Sequence, residues 1–76
     1  MHIKLTTRYK NERDAKIVSD VLEADNRAAP NNLYVFSYCK DNTLYSEIKT
    51  DKIETLIATV DDLLTSQKLA EDMLKV

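Results

Sequence analysis

Three stretches of the chain alternate between apolar and polar residues, and two others repeat at helical spacing. In Met1–Tyr9, Ile3, Leu5, Thr7 and Tyr9 oppose His2, Lys4, Thr6 and Arg8, the period of a half-buried strand. Asn11 followed by Asp14 predicts a helix cap, with acids in the first turn where the helix dipole favours them. Ala15, Val18 and Leu22 then recur at helical spacing and Val21 widens the stripe, so a helix is expected to end near Ala24. Asp25–Asn32, with the single proline Pro30, has the composition of a loop.

The next stretch, "LYVFSYC" from Leu33 to Cys39, is the most apolar in the chain. Strand alternation sends Leu33, Val35, Ser37 and Cys39 to one face and Tyr34, Phe36 and Tyr38 to the other. Asp41-Asn42 suits a tight hairpin, because Asp and Asn tolerate left-handed backbone better than other residues with a side chain. Thr43–Thr50 returns as a third strand, with Leu44, Ser46 and Ile48 opposing Thr43, Tyr45, Glu47 and Lys49. Asp51 and Glu54 have capping-box spacing and open a second helix expected to run to about Leu74.

That helix is uneven. Ile53, Leu56, Ile57, Val60, Leu63 and Leu64 fall within an arc of roughly 120° and predict a core stripe. The next places on the arc hold polar Gln67 and Glu71. Leu69, Met73 and Val76 recur at i, i+4 and i+7 on a different face. Either the helix bends near Thr65-Ser66, or its last turns present these three residues to a docking partner.

The order β-α-β-β-α predicts an α+β fold, a single small domain over residues 1–76. With a right-handed first crossover, the third strand lies between the first two and antiparallel to both. Two helices then cover one face of a three-stranded antiparallel sheet. Nothing remains to cover the other face, which carries Tyr34, Phe36, Tyr38 and Tyr45 among Lys4, Arg8, Lys40, Glu47 and Lys49. A half-buried strand is usually polar on its open side, so a contiguous aromatic patch there marks a partner site. These four aromatics are the expected dimer interface. Edge-to-edge joining of the sheets is the competing geometry.

Composition removes several functions and adds one need. A chain of 76 residues has a marginal core of its own, and small folds are often completed by disulfides, metals or oligomerisation. One cysteine, Cys39, excludes an internal disulfide, and one histidine, His2, leaves no plausible zinc set. Oligomerisation is the remaining aid. Glycine is absent, which removes phosphate-cradling loops that depend on close backbone approach. No signal peptide or membrane span is apparent, and the lone thiol suits a cytoplasmic protein. Residues 1–40 carry seven Lys/Arg against five Asp/Glu and residues 41–76 four against eight, which is not the charge pattern of a dedicated DNA binder.

Candidate chemistry is sparse. Asp61 and Asp62 are adjacent on a helix, point about 100° apart and so cannot share a proton or a metal. Cys39 is expected to point inward as a structural thiol, His2 to lie at a frayed terminus, and Ser19, Ser37, Ser46 and Ser66 to lack a base. No catalytic residue, cofactor or metal is expected. The alternative is an RNA-binding module using the open aromatic and basic face, as in the RNA recognition motif. That fold wants a fourth strand and a glycine-containing signature that Thr43–Thr50 does not carry.

The whole chain resembles the small dimerisation subunit of the KEOPS (EKC) complex, the polarised growth chromatin-associated controller family. The likeness rests on the alternating first strand, Leu22-Glu23-Ala24-Asp25 ending the first helix, the proline-containing loop, the hairpin, and Leu69-Ala70-Glu71-Asp72-Met73-Leu74 closing the second helix. The resemblance implies a non-catalytic subunit that forms a homodimer, or a heterodimer with a related small subunit. It implies docking on the ATP-binding catalytic subunit, which installs threonylcarbamoyl on adenosine 37 of transfer RNA, so that transfer RNA is met through the complex. Many members carry arginine and asparagine in the second helix, where this chain has Ile57 and Asp61 or their neighbours, a departure consistent with a divergent paralogue.

Overall fold

The computed structural model describes residues 1–26 and 32–74. The order is β1 (His2–Arg8), α1 (Glu12–Asn26), β2 (Tyr34–Lys40), β3 (Thr43–Lys49) and α2 (Ile53–Met73). The sheet runs β1-β3-β2 with both pairings antiparallel. This is the expected α+β architecture. Pro30 and Val76 lie outside the described residues.

Local signals act as read at the start of α1 and at the hairpin. The Asn11 side chain accepts the Asp14 backbone N–H at 2.9 Å, satisfying an amide the helix start leaves open. α1 runs on to Asn26, two residues past the expected end. The hairpin is the two-residue Asp41-Asn42, and Asp41 takes φ 56°, the one positive φ among the described residues. Asn42 then binds back to β1, its amide donating to the Tyr9 carbonyl at 2.8 Å and its carbonyl accepting the Tyr9 N–H at 2.8 Å.

The capping box does not form. α2 starts at Ile53 with Lys52 as its cap in extended backbone and no side-chain cap bond. Asp51 stands one residue too early for Glu54 to close the reciprocal pair. Thr50 holds the junction instead, its hydroxyl accepting the Lys52 N–H at 3.3 Å. His2 is not frayed either. The Met1 amino group donates to the Thr50 carbonyl at 2.8 Å, which ties the chain start to the sheet.

The core lies between the sheet and the helices, around Val18, Leu22, Leu44, Ile48, Leu63 and Ala70. Full burial of each large aliphatic there contributes about 1.5–3 kcal/mol. Ser37 and Ser46 face each other across β2 and β3 inside this layer, their hydroxyls 2.9 Å apart, and Asn26 donates to Ser37 Oγ at 3.0 Å. They form a satisfied structural pair, their hydroxyls bonded to each other and to the Asn26 amide.

α2 departs from the expected stripe. It continues unbroken past Thr65-Ser66, and its buried line is Leu56, Val60, Leu63, Gln67, Ala70 and Leu74, polar Gln67 included. Ile53, Ile57 and Leu64, read as core from their arc, are exposed. The physical reason is the set of partners opposite. Gln67 Nε2 donates to Thr7 Oγ1 at 2.9 Å and to Glu71 Oε2 at 3.3 Å, while the Tyr9 hydroxyl donates to Glu71. These bonds rotate the helix so that its polar line faces β1. Burial and the bond to Glu71 push the Tyr9 hydroxyl well above the ordinary tyrosine range.

Candidate protein-binding surface

The open face of the sheet divides into two halves. On β2, alternation turns Tyr34, Phe36 and Tyr38 outward, 46, 38 and 41% exposed. Tyr45 joins them from β3, directly opposite Tyr38 in the ladder. The rings form a continuous series, with centroids 6.3 Å apart for Tyr34–Phe36, 5.6 Å for Phe36–Tyr38 and 5.1 Å for Tyr38–Tyr45. Lys49 Nζ closes the series at 5.3 Å from the Tyr34 ring centre, in cation–π range. All four expected interface residues are therefore neighbours on one face.

The β1 half is ionic. Glu47, at the centre of the sheet, takes His2 Nε2 at 3.3 Å and Lys4 Nζ at 3.5 Å. Such pairs between partly exposed groups contribute little stability, so they define charge pattern more than fold strength. An open depression extends the aromatic half at Tyr34 and Lys49, bounded also by Met1, Asn32 and Thr50.

Ring geometry limits what the aromatic ladder can hold. Tyr38 and Tyr45 lie within 20° of parallel at 5.1 Å, so each covers a face of the other and no base fits between them.

The helix side carries a second set of exposed apolar groups. Leu69 and Met73, two of the three residues expected to dock a partner, are 62 and 63% exposed one turn apart. Ile53, Ile57 and Leu64 form another line that sequence reasoning assigned to the core. The one sequence signal for them was Gln67, whose place on the same arc marked a line with polar company.

Among the described residues no three His, Cys, Asp or Glu side chains gather as a metal site. Cys39 is half-buried and unpaired by disulfide. Asp61 and Asp62 are both exposed. No helix among the described residues is long and apolar enough to cross a membrane.

Comparison with known proteins adds a family. No individually curated protein matches the chain. Among solved structures, a chain of the crystal structure of the binary complex Gon7-Pcc1 superposes with a TM-score of 0.87. The match is 20% identical and covers 99% of this chain and 93% of that one, a likeness of fold. A family model described as "Transcription factor Pcc1" matches residues 2–75. With nearly its whole length matched, the chain belongs to the Pcc1 family.

Proposed function

We propose that this chain is a non-catalytic assembly subunit of a KEOPS-type complex that installs threonylcarbamoyladenosine in transfer RNA. The observation that carries the reading is the family match over residues 2–75, which agrees with the resemblance in strand, helix and loop order. The chemistry belongs to the ATP-binding catalytic subunit. This chain supplies surfaces: Tyr34, Phe36, Tyr38 and Tyr45 for a small-subunit partner, and Leu69 and Met73 for the catalytic subunit. Aromatic residues dominate interface hot spots, and apolar groups one turn apart are the usual anchors of helix recognition. The description of the similar structure as a Gon7-Pcc1 binary complex supports pairing with another protein as the mode of action.

Capture of partners from the source organism tests the reading. The tagged chain is expected to recover the catalytic subunit, and a Leu69→Asp/Met73→Asp variant to lose it. Equal recovery by both would discard that stripe while keeping the complex. Recovery of transfer RNA without the subunit, weakening steeply with salt and dependent on Lys4 and Arg8, would replace the proposal with direct RNA binding.

A further inference from the structure

Charge is divided unevenly between the open face of the sheet and the rest of the chain. The outward side chains of the strands include Lys4, Arg8, Lys40 and Lys49 against Glu47 alone, a balance of +3. The remaining sequence has seven Lys/Arg against twelve Asp/Glu, a balance of −5. Lys4 is drawn to Glu47, while Arg8, Lys40 and Lys49 form no ion pair among the described residues. The face therefore holds uncompensated positive charge around its aromatic ladder, on a chain that is otherwise acidic.

Cross-strand register fixes where that charge stands. Lys49 lies beside Tyr34 in one end row, and Arg8 and Lys40 flank Thr43 in the row at the other end. The rows between them carry Phe36, then Tyr38 with Tyr45. The charges in that middle are Lys4 and Glu47, which pair at 3.5 Å. Strand rise separates the end rows by ~20 Å. The face is thus cationic at both ends and aromatic in the middle, the anatomy of an interface with an apolar centre and a charged rim. A single-stranded nucleic acid would bring a phosphate to every step, the middle rows with Glu47 included. A polypeptide can set acids at the ends and leave its middle uncharged.

We infer that the open face takes an acidic segment of a partner protein, extended along β2. Its apolar side chains lie over Phe36 and Tyr38, and its acidic groups stand ~20 Å apart, at Lys49 and at Lys40 with Arg8. The depression that continues from Tyr34 and Lys49 receives the segment where it leaves the ladder. Two copies of this chain meeting face to face would oppose +3 to +3, so the occupant is a different chain. The inference rests on the reading of the ladder as a protein-binding surface and gives the partner its chemistry.

Fluorescence anisotropy of labelled peptides on the full chain tests it. The peptide EELSFTLEE sets apolar side chains at alternate positions between acidic ends, and KKLSFTLKK keeps that middle with the ends reversed. The acidic peptide is expected to bind at least about tenfold more tightly than the basic one. Lys40→Glu/Lys49→Glu should invert that order. Phe36→Ala should weaken the acidic peptide about tenfold while the urea midpoint stays within the range of surface changes. Equal binding of the two peptides, binding of neither, or an order unchanged by the charge reversal overturns the inference. So does tighter binding of oligouridylate than of the acidic peptide with loss on the same substitutions, which would assign the face to nucleic acid. The charge-reversed chain should still capture the catalytic subunit through Leu69 and Met73. A failed peptide therefore leaves the assembly reading standing, and a failed capture leaves the face.

Discussion

The two halves of α2 reverse the usual relation between polarity and burial. The first half holds Ile53 and Ile57 in solvent, with Ile57 58% exposed, and Leu64 just past the midpoint is exposed on the same line. The second half buries Gln67 and half-buries Glu71. What differs is the surface opposite. The last turns face Thr7 and Tyr9, whose hydroxyls would be costly to bury alone, so polar side chains there are matched partners. The earlier turns present a line that nothing among the described residues covers. Burial along one helix is set by its neighbours, and hydrophobicity follows only where those neighbours are apolar.

The largest expected effect sharpens this contrast at the point where the halves meet. Leu63 is 5% exposed in the core, and Leu63→Ala should lower unfolding free energy by about 2–4 kcal/mol in urea titration. A loss under roughly 0.5 kcal/mol, the range of surface changes, would mean that α2 is not anchored there. Gln67→Leu comes next. It removes the bonds to Thr7 and Glu71 and should cost about 1–2 kcal/mol despite adding an apolar group. A stabilised variant would show that packing alone holds the second half.

Tyr9→Phe should cost about 1 kcal/mol near neutral pH by removing the donor to Glu71. It also alters the alkaline limb. The hydroxyl is raised above its ordinary 10.0 first by burial and then by Glu71, so the folded chain holds the proton more tightly than the unfolded chain. Below that value both states are protonated and Tyr9 adds no pH dependence. Above it the unfolded chain ionises first, so stability falls as pH rises. Urea midpoints should therefore decline less steeply above pH 10.0 in Tyr9→Phe than in wild type. Parallel declines would remove Tyr9 from the alkaline response. The smallest effect belongs to the first half: Ile57→Lys should change stability by less than ~0.5 kcal/mol in urea titration. A larger loss would mean that the exposed stripe has a partner within its own chain.

Much of this was legible in residue order. Strand alternation placed every outward aromatic of β2 correctly, because a period of two leaves each side chain only two directions. Asn11 and Asp41 acted as read, since a cap and a tight turn are decided by a few neighbouring atoms. Asp51 did not, although its spacing matched, because a capping box also needs the helix to begin one residue after it, and Thr50 held that junction differently. The aromatic ladder was legible as a patch, while the near-parallel stacking of Tyr38 on Tyr45 was not.

By itself the sequence determined which side chains share a strand face, where the turns fall, and that no cysteine pair or glycine loop is present to carry other functions. Those are consequences of local geometry and of composition. Tertiary structure alone decided the rotation of α2, the burial of Gln67, and the capture of the outward Ser37 N–H by Glu23. Each depends on atoms brought together from positions 14 to 62 residues apart. Helical periodicity describes an arc without saying which part of it a sheet will cover, and only the bonds to Thr7 and Tyr9 make that choice.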